Sequence, residues 1–312
     1  MTPSIAIIAI YFGTLPAYFD LWLTSCRLNP TFDWLVFTDD DFGRFDVPPN
    51  VHMHVLTLEA FKRLAADSLG IPVDFTAPYK VCDFRPAYWM LLPLVGKQYE
   101  YWGHCDLDMV HGRLDRFISP AILGNAEKIF SVGHLTIYRN CPEANFMFQR
   151  YHPELSWGEI LSDSRHRGFD EHIGVNKIWS YHGGRTYENE SIIADLDPHV
   201  RRLEFFNSFR NRHQQLFYFD QGRVLCGFYR GDKWTTREYM YVHFQKREMA
   251  RRNCGPYATR FAFMSDGFGE FDAAPPAKDL IRRYNATTFG DMSKELPYRF
   301  QRLVRSLRGK IA

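Results

Sequence analysis

The segment Tyr101-Trp102-Gly103-His104-Cys105-Asp106-Leu107-Asp108-Met109-Val110 joins an aromatic and apolar run to two aspartates that are one residue apart. In a β-strand, residues i and i+2 point to the same side, so the pattern predicts that Asp106 and Asp108 project together near a strand end. Two carboxylates held this close repel each other unless a cation or a proton lies between them. A hard divalent ion that also binds phosphate oxygens meets this need. The segment predicts a metal–diphosphate site and favours a nucleotide-sugar enzyme, whereas the alternative interpretation is a solvated turn.

Similar apolar runs that end in polar residues precede this segment. Residues 5–10 form an uninterrupted apolar run, and residues 33–40 and 51–56 follow as two further strand patterns. Helical patterns lie between the strands, so the sequence predicts an α/β fold with a largely parallel central sheet. In such sheets ligands bind beyond the carboxyl ends of the strands. Tyr11, Asp39, Asp106 and Asp108 all fall at predicted strand ends, independently of the aspartate motif.

The alternation of strands and helices weakens after about residue 125. Strands are predicted at residues 129–132 and 135–138, and a helix is predicted at residues 173–181. Because no repeat or linker interrupts this region, a single catalytic domain over residues 1–272 is favoured, with halves 1–125 and 126–272. Residues 273–312 are predicted to form a C-terminal helical appendage.

The appendage has the pattern of a basic amphipathic helix over residues 295–311. Its apolar positions share one helix face, and its basic positions lie elsewhere around the helix. The apolar set is Leu296, Phe300, Leu303, Leu307 and Ile311, and the basic set is Arg299, Arg302, Arg305 and Lys310. The pattern suits a helix lying on an anionic membrane surface. A terminal helix docked on the body of the protein explains it equally well.

Composition limits the function classes. Hydrophobic residues make up 46% of the 312 residues, as expected of a folded globular protein, and a net charge of +2 gives no argument for nucleic-acid binding. The six cysteines include no C-x-x-C pair, so neither a zinc ligand set nor a disulfide framework is suggested. No signal peptide or membrane-spanning run is evident. These features predict a cytoplasmic protein, at most peripheral on the inner face of the cytoplasmic membrane.

An ordered set of short segments spans about residues 5–250. The set is Tyr11-Phe12-Gly13, Phe37-Thr38-Asp39, residues 79–86, residues 102–108, residues 133–140, Phe169-Asp170-Glu171-His172 and residues 242–247. In this order the segments resemble GT-A glycosyltransferases that carry a D-x-D motif, in particular bacterial enzymes of capsule, O-antigen and exopolysaccharide biosynthesis. The resemblance implies the GT-A fold, a nucleotide-sugar donor and Mn²⁺ or Mg²⁺ as cofactor.

The resemblance also implies roles for individual residues. Nucleotide-sugar binding falls to Tyr11, Phe12, Asp39, Lys80, Asp83, Arg85, Asp106, Lys246 and Arg247. Asp106, Asp108 and His243 are the implied metal ligands, and His134, Arg139 and His172 would line the acceptor cleft. Asp170 and Glu171 are the catalytic candidates, because a carboxylate can deprotonate an acceptor hydroxyl or support the donor sugar from below. Capping of the helix that follows is the structural alternative for both.

These patterns predict a metal-dependent glycosyltransferase that moves a sugar from a nucleotide-diphosphate sugar, with UDP favoured, to a saccharide or lipid-linked saccharide acceptor. Two alternatives remain. A sugar-nucleotide hydrolase or nucleotidyltransferase would share the metal and diphosphate chemistry, although the N-terminal region has no glycine-rich phosphate loop. A non-catalytic carbohydrate-binding assembly subunit could retain the fold without turnover.

Overall fold

In the computed structural model the described residues are 3–92, 99–206, 214–271 and 275–308, with side chains described as far as Arg302. The strands are β1 (Ile5–Tyr11), β2 (Phe32–Thr38), β3 (Val51–Val55), β4 (Tyr101–Cys105), β5 (Met109–His111), β6 (Lys128–Val132), β7 (Leu135–Arg139), β8 (Thr186–Tyr187), β9 (Ile193–Asp195), β10 (Gln215–Asp220), β11 (Arg223–Arg230), β12 (Lys233–Tyr239), β13 (Tyr241–His243), β14 (Ala250–Arg251), β15 (Arg260–Met264) and β16 (Gly267–Gly269). The α-helices are α1 (Phe19–Arg27), α2 (Leu58–Leu69), α3 (Tyr88–Leu91), α4 (Pro120–Asn125), α5 (Pro142–Asn145), α6 (Trp157–Ser162), α7 (Val175–Tyr181), α8 (Lys278–Tyr284) and α9 (Phe289–Arg308).

The chain divides into two units. The first unit contains residues 1–107 and 114–191, and the second contains residues 108–113 and 192–312. The segment 108–113 therefore leaves the first unit directly after Leu107 and returns to it at Leu114. The division into a catalytic domain over residues 1–272 and an appendage over 273–312 stays a prediction.

The first unit is built on a seven-stranded sheet with the order β3-β2-β1-β4-β7-β6-β8. β1 pairs in parallel with β2 and β4, and β6 pairs in parallel with β8, whereas β7 is antiparallel to both of its neighbours. The apolar run at residues 5–9 is buried throughout, as expected of a strand with both faces covered. The predicted α/β fold with a mixed, mostly parallel central sheet is confirmed.

The second unit explains why the alternation fades along the sequence. Its six-stranded sheet has the order β12-β11-β10-β15-β16-β14, and β10, β11 and β12 pair as successive antiparallel hairpins. Gln221 and Gly222 both have positive φ at the turn between β10 and β11, as a two-residue hairpin of this twist requires. A three-stranded sheet, β5-β13-β9, places Met109–His111 beside the strand that ends at His243.

The C-terminal helices are present as predicted, and α9 attaches to the second unit through polar side chains. Asp197 accepts hydrogen bonds from Tyr298 Oη at 2.8 Å and from Arg302 Nη1 at 2.9 Å, and Arg299 contacts Glu204 at 3.1 Å. The structure does not describe the side chains of five residues of the predicted amphipathic pattern, which are Leu303, Arg305, Leu307, Lys310 and Ile311.

The apolar side of α9 faces away from these contacts. Leu296 is 68% exposed and Phe300 is 67% exposed, and Phe289 and Met292 on the same side are exposed as well. The helix is therefore docked on its unit through its polar face while its apolar face is turned to solvent. Within the described residues, no helix is both long enough and apolar enough to cross a bilayer.

Candidate functional site

The parallel strands of the first unit end at one edge of its sheet. β1 ends at Tyr11, β2 at Thr38, β4 at Cys105 and β6 at Val132. The residues that follow, Asp39 after β2 and Asp106 after β4, are the acids predicted at strand ends. This edge is where ligands bind in open α/β sheets.

The D-x-D segment is a bend and not a continuation of the strand. β4 ends at Cys105 and β5 begins at Met109, so residues 106–108 lie between two strands of different sheets. The prediction placed Asp106 and Asp108 on one side of a shared strand. That reasoning is wrong, because neither residue belongs to a strand. Asp106 belongs to the first unit and Asp108 to the second, and each is described with its own neighbours.

Arg85 is the centre of the polar cluster in the first unit. Its Nη1 donates to Asp170 Oδ2 and to the carbonyl oxygen of Gly133, both at 2.7 Å, and its Nη2 donates to Asp106 Oδ1. The planar guanidinium thus joins two carboxylates and one backbone carbonyl at once, through two nitrogens held in a fixed geometry. The predicted binding residues Arg85 and Asp106 and the predicted catalytic residue Asp170 lie in one hydrogen-bonded cluster.

Gly133 makes this close packing feasible. A Cβ atom at residue 133 would lie 3.0 Å from Asp170 Oδ2, 3.2 Å from Glu171 Cγ and 3.6 Å from Arg85 Nη1. Any other residue type would therefore push the carboxylate or the loop that carries it away from the end of β6. Gly133 lies in the predicted segment 133–140, but its steric role depends on contacts with residues far away in the sequence.

Asp170 is enclosed by protein. Its side chain is 1% exposed, and burial raises its pKa to about 7, although the charge of Arg85 lowers it and those of Glu171 and Asp106 raise it further. Its Oδ1 lies 4.0 Å from Nε2 of His166, and among the described residues neither atom has a hydrogen-bond partner. Burial also lowers the pKa of His166, so the ring is neutral at pH 7. In this conformation Asp170 acts on Arg85 and is shielded from solvent.

Lys80 and Asp83, which are predicted to bind the nucleotide sugar, lie beneath the loop that carries Asp170. Both side chains are fully buried and form an ion pair at 2.9 Å. Lys80 Nζ also donates to the carbonyl oxygens of Ile160 and Arg165, and Asp83 accepts from the backbone N–H groups of Arg167 and Phe169. Their polar atoms are thus committed to holding residues 160–170, which corrects the expectation of direct donor contact.

The loop after β1 is fixed by acids that follow β2. Asp39 Oδ1 accepts from the backbone N–H of Gly13 at 2.7 Å, and Asp40 Oδ2 accepts from that of Leu15 at 2.7 Å. Gly13 has a φ of +96°, which favours glycine. Phe12 packs its ring edge-on against Phe61, with the ring centroids 6.1 Å apart. Asp39 and Phe12 therefore fix the loop that follows β1 at the carboxyl edge of the sheet, and the predicted role of Tyr11, Phe12 and Asp39 in nucleotide binding stays a prediction.

The remaining predicted residues of the first unit divide between the two edges of the sheet. Glu171 and His172 are exposed on the loop before α7, and neither Asp170 nor Glu171 caps that helix, whose N-cap is Gly174 without a side-chain cap. His134 lies in the β6–β7 turn, where its carbonyl oxygen accepts from Asp106 N–H at 3.1 Å. Arg139 pairs with Tyr101 at the start of β4, so it lies at the opposite edge and its predicted cleft role is not supported.

In the second unit, Asp108, Asp195 and His243 form a second cluster. His243 Nδ1 lies 2.8 Å from Asp195 Oδ1, and its Nε2 lies 3.5 Å from Asp108 Oδ1. Gln245, with a φ of +51°, donates from Nε2 to the same oxygen of Asp195 at 2.9 Å. Asp195 thus sets the orientation of the ring and directs Nε2 towards Asp108. A histidine held by a second carboxylate in this way is the usual arrangement around metal ions in proteins.

The donor set of this cluster fits a divalent cation. Burial would lower the pKa of His243, but the charges and hydrogen bonds of Asp108 and Asp195 raise it to about 10. A proton on the ring therefore offsets one of the two carboxylate charges when no cation is bound. Carboxylate oxygens suit Mg²⁺ and Mn²⁺, and an imidazole nitrogen suits divalent transition metals, so the set as a whole suits a divalent cation. Asp108 and His243 can serve as ligands, with Asp195 as the orienting partner.

The basic residues after His243 have different surroundings. Lys246 is exposed. Arg247 donates from Nη1 to the carbonyl oxygens of Arg201 and Ser265, and from Nη2 to those of Asp197 and Val200. Burial lowers the pKa of Arg247 to about 10. Arg247 therefore ties backbone segments of the second unit together, which corrects the expectation that it neutralises a diphosphate.

Sequence inspection missed Asp195, which orients His243. A signal was present, because Ile193-Ala194-Asp195 repeats the pattern of a short apolar strand that ends in an acid. The pairing of β13 with β9 brings Asp195 opposite His243. Only that register identifies Asp195 as the partner of His243.

Comparisons with known proteins place the chain in a family. The model of DUF6625, described as a family of unknown function, matches residues 7–272. The chain belongs to the DUF6625 family. No curated protein sequence matches this DUF6625 member.

Two solved structures illustrate what this DUF6625 chain is similar to. One is the galactosyltransferase LgtC in complex with donor and acceptor sugar analogues, with 10% identity over 61% of this chain and 75% of that chain and a TM-score of 0.33. The other is the apo form of the glycosyltransferase GlyE from Streptococcus pneumoniae TIGR4, with 9% identity, 61% and 46% coverage of the two chains, and a TM-score of 0.34.

Proposed function

We propose that this DUF6625 chain is a GT-A-type glycosyltransferase that depends on a divalent metal and transfers a sugar from a nucleotide-diphosphate sugar to a saccharide acceptor. The observation that carries the proposal is the arrangement of His243 between Asp195 and Asp108. Asp195 orients the imidazole through Nδ1, and the other ring nitrogen, Nε2, faces Asp108, the second aspartate of the D-x-D segment. Such a donor set suits a metal that binds a diphosphate.

Asp108 and His243 would hold Mn²⁺ or Mg²⁺, with Asp106 as a further predicted ligand. When bound, the metal supplies Lewis-acid stabilisation of negative charge on the departing nucleoside diphosphate. Lys246, an exposed basic residue three positions after His243, is proposed to contact the diphosphate. Arg247, in contrast, supports the backbone of the second unit.

The Arg85 cluster is proposed to bind the donor sugar. Arg85 binds the Asp106 carboxylate at the carboxyl edge of the sheet through Nη2, and Asp170 binds Nη1 of the same guanidinium. Lys80 and Asp83 act indirectly. They hold in place the loop that carries Asp170. Asp170, Lys80 and Asp83 are therefore positioning residues, and Arg85 and Asp106 are the side chains that reach the donor.

Glu171 is proposed to act on the acceptor. It follows Asp170 on the same loop but is exposed, so its carboxylate is available to accept a proton from an acceptor hydroxyl. A positioned general base of this kind contributes roughly 10²–10⁴-fold to a reaction rate. Tyr11, Phe12 and Asp39 are placed to form the binding edge for the nucleotide, for which UDP is the favoured candidate.

The exposed face of α9 is proposed to lie on an anionic membrane surface, where lipid-linked saccharide acceptors of surface polysaccharide biosynthesis reside. Leu296 and Phe300 offer apolar area, Lys294 beside them is exposed, and the sequence that follows is basic. Apolar insertion together with attraction to anionic headgroups is the usual mode of interfacial helices. The polar contacts with Asp197 and Glu204 leave this apolar face free for lipid.

Thermal unfolding in the presence of nucleotides tests the transferase proposal. UDP, GDP and CMP are each added with Mn²⁺, with Mg²⁺ or with EDTA. We expect one nucleoside diphosphate to raise the melting temperature only with metal, because a ligand that binds the folded state stabilises it by mass action. Asp108→Asn should abolish the shift, whereas Asp67→Asn, which changes an exposed acid on α2, should retain it. The proposal fails if no nucleotide stabilises the protein or if Asp108→Asn responds like the unaltered chain.

A further inference from the structure

The first unit contains an open groove, of whose lining residues only His172 has been given a predicted role above. Its volume is about 660 Å³, within the roughly 300–1,000 Å³ that small-molecule sites occupy. The lining residues come from the β6 strand end, α7, and the segments around residues 152, 172 and 190. They are Ser131, His152, His172, Asn176, Lys177, Ser180, Tyr181, Glu188 and Glu190.

The groove lies at the functional edge of the sheet. Ser131 is next to the last residue of β6, and Glu188 directly follows β8, which is parallel to β6. β6 and β4 both pair antiparallel with β7, so β6 runs in the same direction as the strand that leads to Asp106. The groove and Asp106 are therefore at the same edge of the seven-stranded sheet.

One short loop connects the groove to the Arg85 cluster. Asp170 on this loop faces Arg85, whereas His172, two residues later, lines the groove with its ring 64% exposed. The loop is tightly folded, because Val175 N–H donates to the Phe169 carbonyl oxygen at 2.6 Å and a Cβ at Gly174 would lie 2.3 Å from that oxygen. Glu171, the proposed base, lies between these two residues in the sequence, so it is directly adjacent in the chain to His172, which lines the groove.

The floor of the groove is a fixed polar network. Asn176 donates to the Ser131 carbonyl oxygen at 3.0 Å and also contacts Lys128 Nζ, while Ser131 Oγ contacts Glu188. Lys128 is 1% exposed, and its ammonium lies 4.9 Å from the centroid of Trp179. Because these groups hold one another, the polar atoms at the bottom of the groove are preorganised for a ligand with hydroxyl groups.

The wall of the groove carries an aromatic ring. Tyr181 is 55% exposed, and its ring meets His152 edge-on with the centroids 5.2 Å apart. The face of a tyrosine ring is an apolar, electron-rich surface on which the C–H face of a pyranose can pack. Glu188 and Glu190, which also line the groove, provide acceptors for sugar hydroxyls.

The charged residues that line the groove disfavour a phosphorylated ligand. The lining residues include no arginine, and Lys177, their one lysine, is paired with Glu154 at 3.0 Å. Glu188 and Glu190 would repel a diphosphate, so the groove does not suit the nucleotide end of the donor. An uncharged saccharide avoids this repulsion.

We propose that this groove is the acceptor subsite, and that it binds a neutral saccharide by stacking on Tyr181 and hydrogen bonding to Glu188, Glu190 and Asn176. This assignment rests on the proposed transferase function for its role, and on the groove alone for its ligand class.

Saturation-transfer NMR with four probes tests the ligand class. The probes are methyl β-galactoside, methyl β-glucoside, N-acetylglucosamine and lactose at millimolar concentration. We expect saturation of at least one probe by the unaltered chain and a loss of more than fivefold in Tyr181→Ala. Tyr151→Ala is the matched control, because Tyr151 is also an exposed tyrosine of this unit but does not line the groove. Equal saturation in Tyr181→Ala and the control, or no saturation of any probe, overturns the proposal.

A parallel measurement separates this proposal from the transferase proposal. Metal-dependent stabilisation by the nucleoside diphosphate should be unchanged in Tyr181→Ala and absent in Asp108→Asn. Saccharide binding that depends on Tyr181 without any nucleotide binding would refute the transferase and leave a saccharide site. Nucleotide binding without saccharide binding would refute the groove assignment and leave the transferase standing.

Discussion

Nη1 of Arg85 lies 2.7 Å from Oδ2 of Asp170, although 85 residues separate them in the sequence. The same nitrogen also binds the Gly133 carbonyl oxygen, and the other one binds Asp106. Asp170 therefore fixes the orientation of the Arg85 guanidinium. The position of Asp170 on its loop is in this way coupled to the position of Asp106, the residue that follows β4.

Arg85→Met should destabilise the protein by about 3–5 kcal/mol at pH 8.5, because it leaves the buried Asp170 carboxylate without its partner. At pH 5.5 the loss should be smaller. Arg85 lowers the pKa of Asp170, so without Arg85 that pKa lies above 7 and the group is neutral at pH 5.5. Urea unfolding at the two pH values measures the difference. Arg27→Met breaks an exposed pair with Asp46 and should cost at most about 1 kcal/mol at either pH.

The activity of the proposed transferase should fall as the pH drops through about 7. Protonation of Asp170 near this pH removes the carboxylate charge at Nη1 of Arg85, which leaves the guanidinium held by Asp106 and the Gly133 carbonyl oxygen, while Glu171 and His166 also face Asp170. The measurement is kcat/KM from pH 5.5 to 8.5 at saturating metal. Asp170→Asn should be less active and lose this limb of the profile. Glu171→Gln should lose roughly 10²–10⁴-fold in kcat but keep the limb, and an unchanged limb in Asp170→Asn would contradict this assignment.

Asp195→Asn should weaken Mn²⁺ binding by about 10–100-fold, the usual effect of removing a partner that orients a metal-binding histidine. The carboxylate lies 2.8 Å from His243 Nδ1, and an amide in its place no longer stabilises the same ring orientation by charge. Calorimetric titration with Mn²⁺ measures the affinity. Glu248→Gln, which removes an exposed acid from the same unit, should bind Mn²⁺ as the unaltered chain does. Equal affinities in both variants would exclude Asp195 from the site.

Gly133→Ala should reduce activity, but by less than the roughly 10²-fold that a displacement of about 1 Å causes, because the Asp170 carboxylate needs to move by only a few tenths of an ångström. The added methyl group would lie 3.0 Å from Asp170 Oδ2 and would push the carboxylate away from Arg85. Its cost in stability should be about 1–3 kcal/mol, as for other overpacked sites. Gly124→Ala in α4, where a Cβ meets nothing within 4 Å, should be active and slightly more stable. Kinetics together with urea unfolding distinguish the two variants.

The variant Leu296→Glu/Phe300→Glu should bind vesicles containing phosphatidylglycerol at least tenfold more weakly than the unaltered chain. Both side chains are more than two-thirds exposed, so the change removes apolar contact with lipid and adds repulsion without disturbing a packed core. Sedimentation with vesicles measures the binding. Gln301→Glu adds negative charge at an exposed position of the same helix and serves as the control. Binding that is equally strong in the double variant would show that α9 does not contact lipid.

Much of the first unit could be predicted from the sequence because its strands are local, apolar runs. The strand at residues 5–10 and the two after it are found within a few residues of their predicted positions, and β6 and β7 likewise. Asp39 and Asp106 lie at the predicted strand ends for the same reason. After α2 the chain forms a 3₁₀ segment, Pro78–Ala87, followed by the short α3, because Pro86 cannot donate a helical hydrogen bond.

The sequence by itself determined the α/β class, the acids at the strand ends and the amphipathic C-terminal helix, because each depends on neighbours a few residues apart. Only the tertiary structure decided that Lys80 and Arg247 are bound within the protein, that Asp195 orients His243, and that α9 docks through its polar face. These outcomes depend on strand register and on burial, which bring together residues far apart in the chain. A side chain has the same local sequence whether its charge is buried in an ion pair or exposed at a site, and the energy of the two states is set by the rest of the fold.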